Sequence, residues 1–189
     1  NKVTELVDQK LADAPVEIVE PEANPQVLDD ATTRYETFRN SLAQEGNNPG
    51  PLVLSAEDIN ALLFNHPDFK QVAGHAKVSI ENDQLSSQVS VPLDRLSTGV
   101  PLFGEALEGK YLNGDATFSI ELENGRPSLF VEGISVNGAP LPPEFIQALS
   151  RENLLKDAQS KPELMKFFDR LEEIKIENNQ LRVVPKAAD

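Results

Sequence analysis

Four pairs of turn-forming residues, Asn82-Asp83, Asn124-Gly125, Asn137-Gly138 and Asn178-Asn179, constrain this chain more than any other feature. Short polar residues and glycine reverse a chain within two positions, and an Asn-Gly pair is the strongest such signal. Around these pairs apolar residues alternate with polar ones, the period of a strand with one wet face. Ala76, Val78 and Ile80 lead into the first turn, and Leu85, Ser87, Val89 and Val91 leave it. Ala116, Phe118, Ile120 and Leu122 lead into the second, with Asp115, Thr117, Ser119, Glu121 and Glu123 on the opposite side. On the return strand Leu129 and Val131 keep one phase, and Ile134 and Val136 the other. That slip of one residue requires a bulge, and Gly133 stands where it is needed. Ile174 and Ile176, then Leu181 and Val183, flank the last turn.

Helical periods fall elsewhere. Val27, Leu28, Ala31, Tyr35, Phe38 and Leu42 recur at three- and four-residue steps, one apolar stripe on a helix. Asn24 is its predicted N-cap and Pro25 its first residue, and the breakers between Glu45 and Pro51 end it. Ser55 and Asp58 have the spacing of a capping box, with Leu54 and Ile59 as the apolar pair around it. The helix that follows, 56–64, is expected to bury Ile59, Leu62 and Leu63 and to stop at Pro67. Pro142 and Pro143 open a short helix with Phe145, Ile146 and Leu149 inward. Pro162 opens another with Leu164, Phe167, Phe168 and Leu171 inward. The expected order is helix, helix, four strands, two helices, two strands. Strands joined by two-residue turns run antiparallel, so the fold class is α+β: a curved antiparallel sheet of about six strands with helices packed on one face. Residues 24–189 read as a single domain. Residues 1–23, punctuated by Pro15 and Pro21, read as an arm or linker, with Val16–Glu20 extended.

Charge narrows the functional classes. The 189 residues carry 17 basic and 31 acidic side chains, a net charge of −14. All of that excess lies in residues 1–149, and residues 150–189 balance. Such a field repels a phosphate backbone or an anionic bilayer; it reads either as a solvated acidic surface or as a face that repels wrong partners or binds a basic one. With no Cys, disulfides, thiolate nucleophiles and Cys-based zinc sites are excluded. No apolar run approaches the ~20 residues of a membrane-spanning helix. Asn1 rather than Met opens the chain, and the expectation is an export signal or anchor removed upstream.

His66 and His75 flank Pro67, Asp68 and Phe69. Nine-residue spacing off a helix is no ligand signature, so both are expected on a surface loop. The acidic pairs Asp29/Asp30, Glu57/Asp58 and Glu172/Glu173 sit on polar faces, with Asp58 engaged as a cap. General acid–base work needs carboxylates in contrasting environments within one cleft. Asn113-Gly114-Asp115 resembles a fragment of a calcium loop without its remaining ligands and reads as a turn or bulge entering the long hairpin. No phosphate loop, dinucleotide fingerprint or nucleophile elbow is present. The expectation is a chain that is not an enzyme and carries no cofactor or metal. One constellation is apolar: Leu96, Val100, Leu102, Phe103 and Leu107 in a loop, with Phe145, Ile146, Phe167 and Phe168 on the late helices. It reads either as core and lid packing or as a groove for an acyl chain or a partner's apolar segment.

Three segments resemble small bacterial envelope domains: Leu54-Ser55-Ala56-Glu57-Asp58-Ile59-Asn60-Ala61-Leu62-Leu63, then 131–142 from Val131 to Pro142, then 174–183 from Ile174 to Val183. Across 54–186 the chain is similar in order to the YpmS-like family and to the LmeA-type lipid-associated envelope proteins. The resemblance implies a domain outside the cytoplasm, held at the membrane by a segment absent from this chain. The resemblance names no ligand and carries over no catalytic residues; the missing catalytic signatures lead to the expectation of a scaffold or interaction module with a protein partner, and the apolar constellation to the alternative of a binder of an apolar small molecule.

Overall fold

Each turn pair closes a hairpin. The computed structural model describes residue 5 and residues 9–22, 24–95 and 108–187. Asn82, Asp83, Asn124, Asn137, Asn178 and Asn179 all have φ between 51° and 57°, and Gly125 and Gly138 reach 73° and 76°. Left-handed backbone at both central positions is the geometry whose twist matches that of paired strands. The hairpins join β2 (Ala76–Glu81) to β3 (Gln84–Pro92), β4 (Tyr111–Glu123) to β5 (Arg126–Val136), β5 to the two-residue β6 (Ala139–Pro140), and β7 (Leu171–Glu177) to β8 (Gln180–Pro185).

The fold is α+β and every strand pair is antiparallel, but the strands divide between two sheets instead of forming one. Five strands lie in the order β2-β3-β4-β5-β6. The other three lie in the order β1-β8-β7, where β1 (Leu52–Ser55) is a strand the local pattern did not announce. Between Thr117 and Phe118 the β4–β5 register shifts, leaving Glu132 unpaired beside Gly133. The expected bulge is therefore present. Asn113-Gly114-Asp115 is not a turn: it lies within β4, with Gly114 opposite Val89. A Cβ on Gly114 would sit 2.3 Å from the Ser135 carbonyl oxygen, so close backbone approach explains the glycine.

The helices are α1 (Pro25–Ala43), α2 (Ala56–Asn65), α3 (Pro143–Leu149), the single turn α4 (Lys156–Gln159) and α5 (Pro162–Phe168). Asn24 caps α1 by accepting from the Gln26 N–H. Ser55 and Asp58 form the reciprocal capping box of α2, at 3.1 and 2.9 Å. Leu62 is buried and Ile59 packs beside it, whereas Leu63 is only half-buried and Asn60 is the second fully buried residue of α2. On α5, Leu164 is exposed, contrary to expectation, and Leu171 is the buried start of β7 and not part of a helix.

Two apolar cores result. The first gathers Leu11, Val89, Leu93, Leu112, Ala116, Val131, Ile134, Val136, Leu141, Phe145 and Leu149. The second gathers Ala31, Phe38, Leu42, Leu52, Leu54, Leu62, Leu171, Ile174 and Val183, with Ile120 and Leu122 packed against it. The long β4–β5 hairpin thus spans both, giving Ala116 to one core and Ile120 to the other. A second joint links the sheets at their turns: the Asp83 N–H donates to Asn179 Oδ1 at 2.9 Å, and the Asn179 N–H to Asp83 Oδ1 at 2.7 Å.

The N-terminal arm is docked on the body. Leu11 and Ile18 are buried. Ala12 exchanges two backbone hydrogen bonds with Tyr111, the Ala14 carbonyl accepts from Asn113, and the Val16 N–H donates to Ser90 Oγ.

Candidate functional site

α1 carries Tyr35, Glu36 and Arg39 on neighbouring turns, and α2 ends facing them. After Asn65 the chain leaves the helix at His66, whose N–H donates to the Leu62 carbonyl, and Pro67–Phe69 make one 3-10 turn. His66 caps that turn, because its Nδ1 accepts from the Asp68 N–H at 3.2 Å. An accepting Nδ1 assigns the ring proton to Nε2, which lies 3.2 Å from Glu36 Oε1 and donates to it. The expectation of two surface histidines holds only for His75. The His66 side chain is 3% exposed, since Tyr35 packs edge-on against it at 5.1 Å and Phe69 lies 5.9 Å away.

Asp68 Oδ2 accepts from the Tyr35 hydroxyl at 3.1 Å and from Arg39. The Arg39 guanidinium also lies over the Tyr35 ring. Burial, reinforced by the Asp68 carboxylate, pushes the Tyr35 phenol up to about 12. Next to Tyr35 on α1, Arg34 bonds Asp30 at 2.7 Å, Asp58 at 3.0 Å and the Val53 carbonyl of the edge strand β1 at 2.6 Å. Burial opposes the Arg34 charge, but hydrogen bonds to Asp30 and Asp58 outweigh it and raise the pKa.

Chemically, this constellation is closed on itself. Both His66 nitrogens are engaged, one by a backbone donor and one by Glu36, so the ring is not a free general base. Tyr35 is a neutral hydrogen-bond donor far from ionising at neutral pH. Among the described residues no serine or threonine joins the network of hydrogen bonds. What the cluster does is fasten α1 to the loop after α2. His75 stands apart, with Nδ1 3.2 Å from the Ser90 carbonyl, so His66, Asp68 and His75 do not converge. Among the described residues no group of three or more His, Asp or Glu is placed to hold a metal ion.

The apolar constellation fares differently in its two parts. Leu96, Val100, Leu102, Phe103 and Leu107 lie outside the described residues. Phe145 is buried in the first core with Ile146 against it, while Phe167 and Phe168 pack on the second. Phe167 meets Phe38 edge-on at 6.3 Å. The four described members are therefore divided between the two cores.

A cleft that sequence reasoning missed opens beside α2. It has about 270 Å³ and lies between the arm at Glu20–Glu22, the start of α1, the side of α2 and β2, the edge strand of the larger sheet. Val27, Leu28, Ala61 and Val78 give it apolar walls, and Glu20, Glu22, Glu57 and Lys77 bring charge. Asn60 holds the cleft together. Its carboxamide accepts from the Val78 N–H at 2.7 Å and donates to the Val78 carbonyl at 2.8 Å, sealing an edge strand as a neighbouring strand would. The available signal was an Asn standing inside the otherwise apolar run from Ile59 to Phe64.

No family model, no curated protein and no solved structure matches this chain.

Proposed function

We propose that the chain is a non-catalytic interaction domain that scaffolds or regulates a protein partner. One observation carries this reading: the grouping most like an active site, Tyr35, Glu36, Arg39, His66 and Asp68, spends its polar atoms on one another and on backbone. A general base needs a nitrogen or oxygen within reach of the proton it takes from substrate, and both His66 nitrogens are engaged in fastening. The net charge of −14 adds a means of choosing partners by sign. A place at the bacterial envelope, outside the cytoplasm, is supported by the resemblance of residues 54–186 and belongs to the same proposal.

The test is covalent. Fluorophosphonate and epoxide probes, which label activated serines and carboxylates, are expected to leave the intact protein unmodified by mass spectrometry. Stoichiometric labelling that disappears in His66→Gln would replace this reading with a hydrolase. Denaturing solvent extraction of protein made in cells is expected to release no lipid. A stoichiometric acyl ligand in the extract would instead favour the carrier of an apolar ligand.

A further inference from the structure

We infer that the cleft beside α2, together with the arm segment Pro15–Pro21, is the docking face for a basic polypeptide segment, with one lysine or arginine side chain seated in the cleft. The inference rests on the interaction-domain reading and names the partner's chemistry. Volume comes first. About 270 Å³ is below the ~300–1,000 Å³ of pockets that enclose a drug-sized ligand. That size suits one long side chain with its solvent. Lining comes second. A lysine or arginine lays its aliphatic stem on apolar surface and keeps its charge at a wet rim. Val27, Leu28 and Val78 supply the surface; Glu20, Glu22 and Glu57 supply the rim. Lys77 and the positive end of α1 oppose a cation there, but three carboxylates against one ammonium leave the rim negative.

The adjoining arm supplies the rest of the face. Val16 is 49% exposed and Val19 71% exposed, two of the four large apolar residues that are most exposed among those described. The N–H groups of the exposed residues Glu17 and Val19 donate to no described residue, so this run offers donors on its open side to a partner's main chain, in the manner of an edge strand that accepts a peptide. Glu20 is held in place by Asn65 at 2.6 Å, which ties the arm to the wall of the cleft.

A fluorescein-labelled nine-residue peptide alternating valine and lysine is the probe, and the same peptide with glutamate for lysine is the control. Anisotropy titration of the full chain is expected to show saturable binding of the lysine peptide and none of the control. Amide shifts should gather at residues 16–22, Ala61 and Val78. Glu22 and Glu57 are exposed and have no ion-pair partner among the described residues, so Glu22→Gln with Glu57→Gln leaves the fold intact. That double variant should weaken binding about tenfold. Equal affinity in the double variant, shifts gathered instead on Glu172 and Glu173 of β7, or no binding at millimolar peptide would each overturn the inference. Failure here leaves the covalent probes silent, whereas labelling by those probes removes the interaction-domain reading whatever the peptide does.

Discussion

The two halves of the molecule are fastened by different chemistry. Around the five-stranded sheet, neutral amides and hydroxyls do the joining. Ser90 and Asn113 hold the arm, and Asn153 seals the outer edge of β5 by bonding Leu129 and Pro127. An ion pair there, Lys110–Asp13, has an acid that is 86% exposed, and such pairs contribute little. Around the three-stranded sheet, charge does the joining. Arg34 ties α1 to β1, Arg39 and His66 tie α1 to the loop after α2, and Arg170 donates to the Leu42 carbonyl near the end of α1. Helices crossing a short sheet leave carbonyls that only a long donor reaches, whereas strand edges sit within reach of an Asn. Salt and pH should therefore act on the smaller sheet and its helices while sparing the larger one.

That contrast is sharpest if the halves still unfold as one. Leu112→Ala in the first core and Leu171→Ala in the second should each cost about 2–5 kcal/mol. Because the β4–β5 hairpin enters both cores, urea unfolding followed by hydrogen exchange should show one shared transition in either variant. Two separated transitions would break the unity and make the halves independent. Next in size is the joint between them. Asn60→Ala strands the Val78 N–H and carbonyl behind α2 and should cost about 2–3 kcal/mol, read as a lowered denaturation midpoint with exchange of β2 amides accelerated first. An unaltered midpoint would mean that solvent already reaches the edge of β2.

Salt probes the contrast directly. At 1 M salt the screening length falls to about 3 Å. Protection of α1 and α2 amides should drop by about 0.5–1 kcal/mol, with β3, β4 and β5 unmoved. Uniform loss across both sheets would erase the distinction. The smallest effect is alkaline. The Tyr35 phenol is raised from 10.0 to about 12 in the folded state, so the unfolded chain gives up that proton first. The contribution of Tyr35 is therefore full below pH ~10 and is lost as pH rises through about 12. Tyr35→Phe should flatten that slope, and spectrophotometric titration should find Tyr35 ionising late.

Local signals carried the sequence a long way. The Asn24 cap, the Ser55–Asp58 box, all four turn pairs and the Gly133 bulge depend on residues within a few positions of one another, and each is present. What escaped depends on partners far along the chain. β1 is four residues whose ladder partner begins at Gln180, and nothing beside Leu52 reveals it. The division into two sheets follows from that same pairing. For the site, Asn65-His66-Pro67-Asp68 did contain a clue: an acceptor side chain directly before a proline that starts a 3-10 turn. The burial of His66 came from Tyr35 and Phe69 closing over it, one of them on another helix. The cleft needed the arm, α1, α2 and β2 at once, and no periodicity encodes such a meeting.

Leu52 pairs with Val183, and that single register has a consequence for how the molecule is made. A chain emerging from its N-terminus can close the β2–β3 and β4–β5 hairpins as soon as each is synthesised, since their partners are neighbours. β1 has no such neighbour. Its backbone, and the greasy underside of α1 and α2, must wait until residues 180–185 have left the ribosome. During that interval the two hairpins can close and the smaller sheet cannot, so a stalled or truncated product leaves the apolar faces of α1, α2 and the far end of the β4–β5 hairpin open to whatever folding helpers surround it.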